Sequence, residues 1–302
     1  MVVKNKQEKV ETFIFELTNG CNENCDFCYS ISYNSITGKP RFGQIDKDKC
    51  FNVLDTICEY GAKSIDFSGG EPTLHPNFSE IIRYSKEKGL DTILSTNGST
   101  INNENIRNSI IDSVNCVALS IHGVNDVHDK IKYEKGSYMR AINSLEMYLS
   151  NNLNVKVNSV LCNENVSNIK EIGESIGIRD KENLTWKISQ AVTREAGLLN
   201  RNKIDVGDEV YEMVKKDIIE RYSQEYNAGK IIFRENDVGK EKFSPYLIIN
   251  SNGSLYIPKG ELHKRIGNIL DNEWKKDVEN YIFAEKEFIE KLNKNHRESY
   301  QK

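Results

Sequence analysis

The strongest constraint on the fold is an alternation. Short apolar runs at 12–17, 64–67, 92–95, 117–121, 155–161 and 184–189 are separated by amphipathic stretches at 46–60, 77–88, 103–111, 137–151 and 166–176. In the second of these, Phe78, Ile81 and Ile82 recur at helical spacing, and Gly61 and Gly89 stand where helix C-caps belong. Strand then helix, repeated about six times, predicts a parallel sheet with right-handed crossovers. With no return strand, the α/β pattern predicts a partial, open (β/α)6 barrel of the TIM type. Function is then expected at the C-terminal ends of the strands.

After residue 197 the pattern changes. A long helix is expected at 206–226, a strand at 230–234, and a hairpin of 246–250 and 254–257 turning through Ser251-Asn252-Gly253. A charged helical tail follows at 272–297. The predicted division is a barrel core over 1–197 and a small α+β cap over 198–302.

Composition narrows the function. A formal charge of −4 gives no electrostatic case for nucleic acid as a partner. The first ten residues lack a signal-peptide core and no run approaches 18 apolar residues, so no membrane association is expected and the reading is cytoplasmic. Seven cysteines are present, three of them within eight residues and none beyond Cys162. In a reducing compartment that pattern favours metal binding over disulfides.

The first strand runs into Thr18-Asn19-Gly20-Cys21-Asn22-Glu23-Asn24-Cys25-Asp26-Phe27-Cys28. Three thiolates spaced by three and two residues can converge on one iron–sulfur cubane and leave one iron open to another ligand. Zinc competes as a reading, but a structural zinc site needs a fourth ligand and no His occurs before His75. Interleaved Asn, Glu and Asp argue against plain buried cysteines.

The triad, with Phe27 before its last Cys, resembles the signature of the radical S-adenosylmethionine (SAM) superfamily. Ser68-Gly69-Gly70-Glu71-Pro72 is similar to that family's GGEP segment. The resemblance implies one [4Fe–4S] cluster on Cys21, Cys25 and Cys28, whose open iron chelates SAM. Reductive cleavage then gives a 5′-deoxyadenosyl radical that takes a hydrogen atom from an organic substrate. It implies an electron donor such as flavodoxin or ferredoxin.

The same resemblance suggests which residues meet SAM. Phe27 packs near adenine, Gly69 and Gly70 let the backbone approach, and Glu71 accepts from the SAM ammonium. Thr96 and Asn97 close the third strand, and Ser120 on the fourth meets the carboxylate or ribose. Lys132, where many relatives carry Arg, meets a carboxylate as a point charge. Asn158 reaches the ribose and the backbone around Val192 holds adenine. Cys162 and Glu195 at the mouth are weak catalytic candidates, the first with a plain buried Cys as its alternative.

The hairpin and Ile266-Gly267-Asn268 resemble SPASM and Twitch domains, but Pro258-Lys259 stands where those place a Cys. A cap without an auxiliary cluster is expected. SPASM-type caps point first to a peptide substrate; a small metabolite such as a nucleoside, sugar or amino-acid derivative is the alternative. A non-catalytic metal-binding interaction module is the reading from another class, and it leaves Gly69–Glu71 without purpose.

Overall fold

A computed structural model of the chain describes residues 10–28, 30, 33–34, 39–40, 43–194, 196–236, 246–259 and 261–282. The six expected strands are β1 Thr12–Thr18, β2 Ser64–Gly69, β3 Asp91–Thr96, β4 Cys116–Ser120, β5 Asn154–Leu161 and β6 Leu184–Gln190. Between them run helices α1 Lys47–Tyr60, α2 Phe78–Glu87, α3 Glu104–Ser113, α4 Asp126–Lys132 and α5 Ser137–Ser150. Local chemistry sets the ends of α1: the Asp46 side chain accepts from the Lys49 amide, and Gly61 closes the helix in the left-handed region at φ 103°. The α4 segment was not expected as a helix. The expected helix at 166–176 is a 3₁₀ turn, Ile169–Glu171, and a short helix, Ile172–Ser175.

The strands β1 to β6 pair in parallel in chain order. The segment expected as a cap adds to both edges of this sheet. A strand β7, Ile231–Arg234, pairs in parallel with β6, and β8, Tyr246–Ile249, pairs in parallel with β1. Antiparallel strands β9, Ser254–Lys259, and β10, Leu262–Asn268, complete a sheet of ten strands among the described residues. The expected hairpin is therefore present and continuous with the barrel sheet. Strand β10 was not foreseen, because His263, Lys264 and Arg265 interrupt any apolar alternation. The long expected helix breaks at Tyr222 into Gly207–Arg221 and Ser223–Asn227.

Each strand has two chemically distinct faces. Phe13, Phe15, Phe67, Leu94, Leu119, Val157, Trp186 and Ile188 are buried against the helices in one continuous core. Tyr60 of α1 meets Phe13 edge-on, and Tyr222 meets Trp186 in the same way. The opposite face carries Asp66, Ser68, Ser95, Ser120, Lys156, Asn158, Lys187 and Ser189, all half-buried. Among the described residues no helix is long and apolar enough to cross a membrane.

Candidate functional site

The site begins where β1 ends. The loop carrying Cys21, Cys25 and Cys28 is tied to the turn after β2 by two backbone hydrogen bonds, Gly70 N to Thr18 O at 2.7 Å and Glu71 N to Gly20 O at 2.8 Å. This is what the paired glycines are for. A Cβ on Gly69 would lie 2.4 Å from the Thr18 carbonyl oxygen, and one on Gly70 2.1 Å from that of Gly20. The close approach expected at Gly69 and Gly70 is thus made by the cysteine loop's own backbone.

Glu71 is buried at the same junction. Its Oε1 accepts from the Thr73 amide at 3.1 Å, the Thr73 hydroxyl at 2.5 Å and the Thr96 hydroxyl at 2.8 Å. Its Oε2 accepts from the Asn97 amide at 2.8 Å. Burial raises its pKa, and these four donors oppose the shift. Glu71 therefore fastens the end of β2 to the end of β3. Asn97 extends the connection, donating from Nδ2 to Asn22 Oδ1 in the cysteine loop at 3.0 Å.

Other anchors reach the loop from behind. Lys132 donates to Glu23 at 2.8 Å and is buried, rather than standing free at the strand ends. The Tyr133 hydroxyl donates to Asp26 at 2.9 Å, and Lys203 meets the same carboxylate at 3.3 Å. Phe27 packs edge-on against His122 at 4.6 Å, in a small apolar cluster with Ile131, Cys162, Ala191 and Ile204. Burial pushes the Cys162 thiol up to about 11, as suits a neutral packing residue. Neither Glu23 nor the buried His122 was singled out in the sequence, where both read as ordinary loop residues.

The strand-end residues of the polar face come together. Ser120 stands opposite Asn158 in register, and Asn158 opposite Lys187. The Asn158 Oδ1 is buried without a hydrogen-bond partner, the state of an acceptor aimed at something other than protein. Asp66 accepts from the Ser95 hydroxyl at 2.8 Å. Burial raises Asp66 to about 6 against the pull of Ser95, Lys156 and Lys187. Burial, then Arg234 and Lys156, lower Lys187 to about 8. These charged residues were missed in the sequence; the available signal for the lysines was one Lys inside each of two apolar strands. The Val192 carbonyl accepts from the Arg194 amide at 2.9 Å, closing a tight turn after β6. Glu195 lies outside the described residues.

The cysteine loop suits an iron–sulfur group by its donors. Among the described residues no three ligand-type side chains are already drawn to metal distance, so the case rests on chemistry. Burial pushes the Cys28 thiol up to about 12, with the Cys25 charge adding to it. For Cys25, burial raises the pKa and the Lys132 ammonium lowers it. Burial alone favours the neutral thiols, so the fit rests on three soft donors on one short loop, with the Lys132 ammonium favouring the thiolate at Cys25.

Comparisons with known proteins identify the family. The model of the radical SAM superfamily matches residues 15–176. The chain is 29% identical over 161 residues to an AdoMet-dependent heme synthase of Methanosarcina barkeri, covering 53% of this chain and 45% of that protein. It is 23% identical over 289 residues to an S-adenosylmethionine-dependent nucleotide dehydratase of Flammeovirga pacifica, covering 92% of each. It thus spans under half of the first relative and nearly all of the second. A solved structure of anSMEcpe with bound AdoMet and a peptide superposes with TM-score 0.64 at 15% identity, covering 88% of this chain and 79% of that one. That likeness extends to the fold. The family match covers more than half of the sequence, and the chain belongs to the radical SAM superfamily.

Proposed function

We propose that this radical SAM enzyme acts on a small anionic substrate of the nucleotide class. The observation that carries the reading is the pair Lys156 and Lys187 on the open, polar face of the sheet, with Asp66 opposite. A face built for an apolar side chain has no use for two half-buried ammonium groups, one of which, Lys187, burial already drives toward its neutral form. A relative that this chain matches over 92% of both lengths is a nucleotide dehydratase, which supports the same class.

In this reading Cys21, Cys25 and Cys28 hold one [4Fe–4S] cluster, which with SAM supplies one-electron reduction and a source of carbon-centred radical. The chain's residues do the rest. Lys156 and Lys187 attract and orient the anionic end of the substrate. Asn158 Oδ1 and the Ser120 hydroxyl offer hydrogen bonds to hydroxyl groups at the strand ends. Glu71, Thr96 and Asn97 keep the cysteine loop in register with β2 and β3. Phe27, Ile131, Cys162, Ala191 and Ile204 form an apolar flank that limits water.

The test is anaerobic incubation of reconstituted enzyme with SAM, dithionite and one nucleoside triphosphate at a time. Chromatography of 5′-deoxyadenosine should show release stimulated at least tenfold by one nucleotide and lost in Lys187→Met. Stimulation by none of them would end the reading. The second reading, a peptide, draws support from the peptide held by a protein of similar fold. Peptide-dependent release with nucleotides inert would install it instead.

A further inference from the structure

An ion pair locks the cysteine loop to the helical layer. Glu23 lies between Cys21 and Cys25, and Lys132 ends α4. Their side chains are only 2% and 4% exposed, and Nζ meets Oε2 at 2.8 Å. The other Glu23 oxygen accepts from the Ser137 hydroxyl at 2.5 Å, and the Asn24 amide donates to the Lys132 carbonyl at 3.2 Å. The end of α4, the start of α5 and the loop are therefore tied together. Removing either charge from such a pair strands the other in a low-dielectric setting.

The consequence concerns electrons. Reducing a cluster adds a negative charge, so a fixed cation nearby favours the reduced form and a fixed anion disfavours it. Lys132 donates to Glu23, which stands two residues before Cys25 in the loop. We propose that Lys132, fixed by Glu23 beside Cys25, is a positioning residue of the cysteine loop that raises the reduction potential of the cluster. The proposal rests on the cluster reading of Cys21, Cys25 and Cys28.

The experiment measures the midpoint potential by EPR-monitored redox titration of the full-length, anaerobically reconstituted protein, beside iron content and SAM affinity by calorimetry. Lys132→Met should shift the potential to more negative values, and Glu23→Gln, which removes an anion from the same spot, to more positive ones. Lys132→Arg should restore the wild-type potential. SAM affinity should change less than threefold in each. A purely structural pair would not give shifts of opposite sign. Should Lys132→Met fail to hold iron, the Glu23→Gln and Lys132→Arg titrations decide alone. An unmoved potential in Glu23→Gln, or a shift in the negative direction, overturns the proposal. So does tenfold weaker SAM binding by Lys132→Met at an unchanged potential, which would return that lysine to the SAM carboxylate. Wild-type protein that takes up no iron would end the cluster reading itself, and this proposal with it.

Discussion

The missing side chain of Gly70 leaves room for the carbonyl oxygen of Gly20, which a Cβ would approach to 2.1 Å. No backbone shift at Gly70 alone relieves that overlap, because the neighbouring amide of Glu71 is bonded to the same oxygen.

Gly70→Ala should therefore cost about 3 kcal/mol, the upper end for forced overpacking, and lower iron content in proportion to the displaced loop. Gly61→Ala is the control. Its φ of 103° makes a side chain strained although nothing lies within 4 Å. It should cost about 1 kcal/mol and leave iron content unchanged. Thermal melts with iron assays distinguish the two, and equal iron loss in both would refute the argument.

Glu71→Gln should act first on stability. One carboxylate oxygen becomes an NH2 group facing donors from Thr73 and Thr96, or from Asn97. The mismatch should cost about 1–3 kcal/mol, read as a lower denaturation midpoint. A variant as stable as wild type would show that the carboxylate is free to serve SAM alone.

The polar face predicts a pH dependence with a worked sign. Lys187 is lowered to about 8, so its charge, and with it affinity for an anionic substrate, should fade as pH rises through about 8. Lys187→Arg, whose cation does not titrate in that range, should flatten that alkaline limb. Asp66 is raised to about 6. Its native form binds more protons than the unfolded chain between the ordinary carboxylate range and about 6, so stability falls as pH rises through that window. Asp66→Asn should consequently stabilise the protein near neutrality, by about 1 kcal/mol after allowing for solvent screening. A substitution that lowers the melting temperature at pH 7 would contradict this.

A chain cut after residue 197 should aggregate. Its loss uncovers the edge of β1, where Leu247 and Ile249 pair beside Phe13 and Phe15, and the edge of β6 beside β7. Light scattering during anaerobic refolding is the measurement. A monomeric, iron-loaded fragment would show that residues 1–197 stand alone.

The strands were legible because their helix-facing positions are mostly apolar and their punctuation is regular. The cysteine loop was legible because its ligand-type residues lie together in sequence. Glu71 was legible as important but not as a brace, since its partners Thr96 and Asn97 lie on the next strand. Lys156 and Lys187 were not legible, because a lysine at alternate positions of a strand ordinarily faces water. Only the sheet's sidedness, with helices on one face, shows that they face inward. The placement of β8 beside β1 likewise depends on a contact spanning most of the chain, which no local pattern reports.

That sidedness also separates two kinds of evolutionary freedom. Along each strand, one set of alternate residues answers to the helices and the other to whatever enters the open face. Replacing Lys156, Asn158 or Lys187 leaves Val157 and Ile188 in their packing, so substrate preference can drift without passing through unfolded intermediates. The two sets answer to different neighbours, interleaved one residue at a time.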